Sequence, residues 1–147
     1  MIYITLLQEL NNFVKSLDPK LSVEYSHSFG IDLKNNIIYV DVNNGHNTQI
    51  AYYIISQLFD LPIAFDPFIW ALLHELGHFF TLFMVTDNDN ALEALMDIYD
   101  GDNEALWLYA HCNSEKETMA TNWAAAYAID DYDYICTWLQ RFENAAG

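Results

Sequence analysis

The chain is poor in positive charge. It carries 5 Lys and Arg against 21 Asp and Glu, a net charge of −16. This excludes an intimate nucleic-acid partner, because gripping phosphates needs a cationic surface. A basic protein is the more natural partner. Cysteine is scarce as well. The only two, Cys112 and Cys136, stand at a spacing that matches no zinc knuckle and no redox motif. Two cysteines in 147 residues do not make a disulfide scaffold, so free intracellular thiols are expected. The opening residues, Met1 to Glu9, contain neither a basic segment nor a small-residue cleavage site. No signal peptide is therefore read, and a cytoplasmic location is expected. The strongly apolar stretch 68–84 is interrupted by His74, Glu75 and His78 and has no companion span, which argues against a membrane-embedded protein. With no repeat and no linker-like segment, residues 1–147 are expected to form a single domain.

What the chain does have is apolar substance, 53% hydrophobic and 16% aromatic residues, enough for a sizeable core. Residues 3–17 carry Ile4, Leu6, Leu7, Leu10, Phe13, Val14 and Leu17 at helical spacing, and Asp18-Pro19 ends that pattern. Leu21–Tyr25, Phe29–Leu33 and Ile37–Val42 read as short strands, the last the clearest, with Asn35-Asn36 as a turn. They predict a small antiparallel sheet or meander. Helices are expected at 48–59, from Pro67 (N-capped by Asp66) to about Val85, at 91–99, at 104–112, at 114–128 and at 131–142. Helix, small sheet, then helices is an α+β order. The acidity is uneven: residues 1–66 have a net charge of −4 and residues 67–147 one of −12.

The most specific signal is His74-Glu75-Leu76-Gly77-His78, an H-E-x-x-H motif inside the apolar stretch. At this chain's His and Glu frequencies, such a motif arises by chance about once in a hundred chains. Residues four apart share one helical face, so the two imidazoles can converge on one metal ion. Glu75 is turned by roughly 100° from His74 and can reach a water rather than the metal. Two histidines and a glutamate buried among Phe, Leu and Trp would be costly unless paired or bound to something. The arrangement is that of a zinc hydrolase, with His74 and His78 as ligands and Glu75 as general base.

Catalytic zinc commonly takes three protein ligands. The motif version with a third His six residues on is absent, since Thr81 and Met84 occupy the relevant positions. The downstream candidates are Glu93, Asp97, His111, Glu115 and Glu117. Glu117 shares a helical face with Ala120 and Ala124, small residues that permit close approach of a second helix. Yet Ser114-Glu115-Lys116-Glu117 is also a capping box, in which Glu117 would serve only its own helix. Spacing leaves both readings open.

The pattern of His74-Glu75-Leu76-Gly77-His78, followed by Glu117-x-x-Ala120-x-x-Trp123-Ala124, resembles the ImmA/IrrE family of metallopeptidases. The resemblance covers most of the chain. It implies a zincin-like helical half, Zn2+ as cofactor and Glu117 as third ligand. It also implies regulated cleavage of a separate helix-turn-helix repressor, often in a phage, mobile-element or stress-response setting. Trp123 stands where the family usually has Phe. Met119 and Thr121 replace an acidic residue and an Asn or Asp, and Ala125 to Asp130 does not follow the family's Leu-Leu-x-Pro.

The expected function is thus that of a zinc endopeptidase acting on a specific protein, with Glu75 moving the proton from water to the leaving amine. His111, Tyr109 and Tyr127 are candidates to assist the oxyanion. His27 and His46 are expected to be exposed polar positions. Asp130-Asp131-Tyr132-Asp133-Tyr134 is expected to be a solvated helix start that could receive a basic substrate. The alternative is a non-catalytic acidic interaction protein, a DNA mimic or inhibitor of a mobile element, with a structural or vestigial zinc site.

Overall fold

Leu6, Leu10, Phe13, Val14 and Leu17 recur at intervals of three and four and line one side of the first helix, α1 (Ile2–Leu17). The computed structural model describes residues 2–42, 67–85 and 113–146. The expected helices at 48–59, 91–99 and 104–112 and the cap at Asp66 lie outside them. α1 ends where expected. Pro19 cannot continue it, and Asp18 turns the chain by accepting the Lys20 N–H at 2.9 Å.

Three short strands follow, β1 (Ser22–Tyr25), β2 (Gly30–Asp32) and β3 (Ile37–Val40). They lie within the stretches anticipated from the sequence, but the sheet is mixed rather than antiparallel. Its order is β1-β3-β2, with β2 antiparallel and β1 parallel to β3. The reason is that β3, Ile-Ile-Tyr-Val, takes the centre, where both of its edges are paired. The Ser26–Phe29 link starts across the end of β3, with the Ser26 N–H donating to the Val40 carbonyl at 2.9 Å. β2 then returns as a hairpin partner through a turn that Asp32 organises. Its Oδ1 accepts the N–H groups of Lys34 and Asn35, and Asn36 takes the left-handed conformation (φ 58°) that asparagine tolerates. On the edge strand β1, the Asn11 side chain plays the part of a neighbouring strand. Its amide donates to the Val23 carbonyl (3.2 Å) and accepts the Val23 N–H (2.9 Å).

α2 (Pro67–Thr81) begins at the proline, whose ring suits a first helical turn, and passes into a short 3₁₀ turn, Leu82–Met84. Every residue from Ile69 to His78 is buried, so α2 is a central helix rather than an amphipathic surface one. It packs most extensively on α3 (Glu115–Asp130) and also touches β2 and β3. α4 (Tyr132–Ala146) returns along α1. Its Ile135, Trp138, Phe142 and Ala145 are buried, and Phe13 of α1 meets Trp138 and Phe142 edge-on at 5.7 Å. One apolar cluster joins all of these elements, and the fold is α+β. Among the described residues no helix is long and apolar enough to cross a membrane.

Candidate metal centre

Three backbone facts bring the site together. α2 presents His74 and His78 one turn apart on the side that faces α3. α3 opens with Ser114 as N-cap, its hydroxyl accepting the Glu117 backbone N–H at 3.4 Å, which sets Glu117 in the first turn. The two helices then approach to backbone contact. A Cβ built on Gly77 would lie 2.2 Å from the Ala120 carbonyl oxygen and 2.8 Å from the Ala120 carbonyl carbon and Cα. Ala120 and Ala124, expected to permit close approach, are both buried at this seam.

At that separation the Glu117 side chain reaches both imidazoles. Its Oε2 lies 2.7 Å from His74 Nε2 and 3.0 Å from His78 Nε2. The rings stand edge-on, 4.6 Å apart between centroids. His74 and His78 are 3% and 7% exposed, so the cluster is withdrawn from water. The cap takes up Glu117's backbone N–H and the histidines share its Oε2, so capping and pairing with the histidines are compatible. His74 is held from its other side too: its Nδ1 lies 3.0 Å from the Thr121 hydroxyl, four residues beyond Glu117 on the same face of α3.

Charge follows geometry. Burial disfavours a charged Glu117, but hydrogen bonds from His74 and His78 outweigh it and hold the carboxyl well below its ordinary 4.5. For His78, burial disfavours the imidazolium. The hydrogen bond and charge of Glu117, with the charge of Glu75, outweigh that and raise its pKa above the ordinary 6.5. Without a metal, then, the Glu117 carboxylate serves as the shared acceptor of two ring N–H groups.

The same atoms suit a metal ion. One donor atom from each of His74, His78 and Glu117 can be chosen so that all lie within 4.8 Å of one another. Donors about 2.0–2.1 Å from a tetrahedral ion stand about 3.3 Å apart, so these are gathered to the scale of one ion. Two imidazole nitrogens and a carboxylate oxygen are also a donor set that such ions take. His74, His78 and Glu117 could therefore hold a metal ion together. Glu75, 7% exposed, lies outside the donor set although it neighbours His74 in sequence.

The other sequence candidates fall elsewhere. Glu115 is not part of the donor group. Tyr127 is ten residues, roughly 15 Å, along α3 from Glu117. Its ring stacks on Trp123 at 5.1 Å, which in turn stacks on Phe80, and its buried hydroxyl has no hydrogen-bond partner among the described residues. Burial, with the charges of Asp131 and Tyr134, raises its pKa above the ordinary 10. His27 is exposed, as are Asp130, Asp131, Tyr132, Asp133 and Tyr134 where α3 passes into α4. Glu93, Asp97, Tyr109, His111 and His46 lie outside the described residues. Two further residues shape the site without a motif to mark them. Thr121 departs from the family pattern, and its four-residue spacing from Glu117 puts it on the same face. Gly77 stands inside the motif at the helix seam. A glycine inside a helix costs about 1 kcal/mol relative to alanine, which is itself a sign of close packing. No protein-family model, curated protein or solved structure matches the chain.

Proposed function

We propose that the protein is a zinc-dependent endopeptidase of the ImmA/IrrE kind, with a zincin-like helical half that cleaves a specific protein. The convergence of His74, His78 and Glu117, with Glu75 adjacent but outside the donor set, carries this reading. A purely structural site has no use for a buried carboxylate at position 75. In this reading His74, His78 and Glu117 hold the ion. When bound, zinc lowers the pKa of a water and polarises the substrate carbonyl.

Glu75 takes the proton from the attacking water and returns it to the amine that leaves as the peptide bond breaks. Glu117 and the two neutral imidazoles bring a single negative charge to the ion, which leaves the centre cationic enough to polarise the carbonyl. The excess of acidic groups, net −16, suits a basic substrate, and a helix-turn-helix DNA-binding repressor is such a protein. Phage or mobile-element biology and a cytoplasmic setting belong to the same proposal.

The test is metal content together with Glu75→Gln. Wild-type protein is expected to retain about one zinc per chain and to cleave a repressor encoded beside its gene. Glu75→Gln is expected to keep the zinc and lose cleavage. A variant that cleaves as fast as the wild type sinks the peptidase reading. The same charge favours a second reading, a non-catalytic acidic protein that sequesters a basic factor. There, Glu75→Gln leaves the biological effect intact.

A further inference from the structure

The Thr121 hydroxyl lies 3.0 Å from His74 Nδ1, and Thr121 is 5% exposed. Among the described residues its hydroxyl makes no other hydrogen bond, so its orientation there answers to His74. A hydroxyl differs from the carboxylate or carbonyl that commonly backs a ligating histidine. A carboxylate or carbonyl only accepts, whereas a hydroxyl donates or accepts by turning about one bond. That difference matters here because His74 has to carry its proton on different nitrogens in two states. While Glu117 is the shared acceptor, Nε2–H of His74 donates to it at 2.7 Å. In the neutral ring Nδ1 is then an acceptor, and the Thr121 hydroxyl donates to it. When the Nε2 electron pair is given to a metal, the proton sits on Nδ1, and the hydroxyl accepts from it.

We propose that Thr121 is a positioning residue that keeps His74 hydrogen-bonded in both neutral tautomers, so that the buried site exchanges between metal-free and metal-bound forms without orphaning a ring nitrogen. A partner that could only accept would face a bare Nδ1 lone pair in the metal-free form, and an apolar one would satisfy neither form. The inference rests on the metal reading above and concerns the reversibility of loading rather than the reaction.

The test uses the full chain, with Zn2+ competed against a chelator and the His74 ring nitrogens followed by 15N NMR. In the wild type His74 is expected to carry its proton on Nε2 when metal-free and on Nδ1 when zinc is bound. Thr121→Val keeps the shape and removes the hydroxyl, and its zinc affinity is expected to fall about 10- to 100-fold. Thr121→Ser is expected to restore affinity to within a few-fold of the wild type, which a purely packing role for the methyl group would not do. If Thr121→Val binds zinc as tightly as the wild type, or if the wild-type proton stays on Nδ1 in both states, the inference fails while the metal reading stands. If the wild type binds no zinc, both fail. Should Thr121→Val not fold, the wild-type spectra and Thr121→Ser still decide.

Discussion

Replacing Gly77 by alanine tests the seam between α2 and α3 with a single methyl group. That carbon would stand 2.2 Å from the Ala120 carbonyl oxygen, where contacts below 3.0 Å are essentially never seen. The helices must therefore part by at least about 0.8 Å, since no rotamer change can move a backbone carbonyl aside. Overpacking of this kind costs about 1–3 kcal/mol. Alanine's better helix propensity returns about 1 kcal/mol. The net loss is up to about 2 kcal/mol, or up to about 8 °C in Tm for a domain of this size. The site suffers more. Glu117 sits three residues before Ala120 on the same helix, so a comparable shift carries its Oε2 from 2.7 and 3.0 Å to beyond about 3.2 Å from the imidazoles, outside good hydrogen-bond range. Zinc affinity measured against a chelator is expected to fall at least about 10-fold. Adding Ala120→Gly is not expected to rescue it, because the clash is with the Ala120 backbone. A Gly77→Ala protein that is about 1 kcal/mol more stable and binds zinc like the wild type would refute the reasoning, as would rescue by Ala120→Gly.

Glu117→Gln removes the charged acceptor but keeps the shape, and elemental analysis after dialysis is expected to find the zinc lost. In the metal-free protein, chemical denaturation at a series of pH values should show two opposed losses. Glu117 is held well below 4.5, so its contribution is present above about pH 4.5 and fades as pH falls through its folded value. His78 is raised above 6.5, so its contribution is complete below about pH 6.5 and fades as pH rises through its folded value. The network therefore stabilises most between about pH 4.5 and 6.5. The added stability from zinc should instead grow with pH across the His78 titration, because the ligand must shed its proton. Asn11→Ala strips β1 of its two side-chain bonds at Val23 and should cost about 1–3 kcal/mol by the same denaturation assay.

Much of this was legible in the chain because it is local. The face shared by His74 and His78 follows from a four-residue spacing on any helix. The end of α1 at Asp18-Pro19, the start of α2 at Pro67 and the Ser114 cap follow from side chains that bond or block their own backbone. The strands could be located because they alternate or run apolar. Their order could not. β3 between β1 and β2 is a choice among pairings that depends on which strand gains most from two partners, and adjacency in sequence pointed to a hairpin order instead.

By itself, then, the sequence determined the presence of two histidines and a carboxylate in the chemistry of a metal site, the register that aligns the histidines, and a net charge of −16. Only the tertiary structure decided what completes the cluster. Glu117 is 39 residues from His78 and could cap its own helix or reach across to another. Its backbone N–H is capped by Ser114 while its carboxylate reaches across, because the missing side chain at Gly77 lets the Ala120 backbone come close enough to deliver it. Thr121 gained its place against His74 by the same approach. A contact between helices depends on the distance between their axes, and that distance is set by the bulk of residues on both at once.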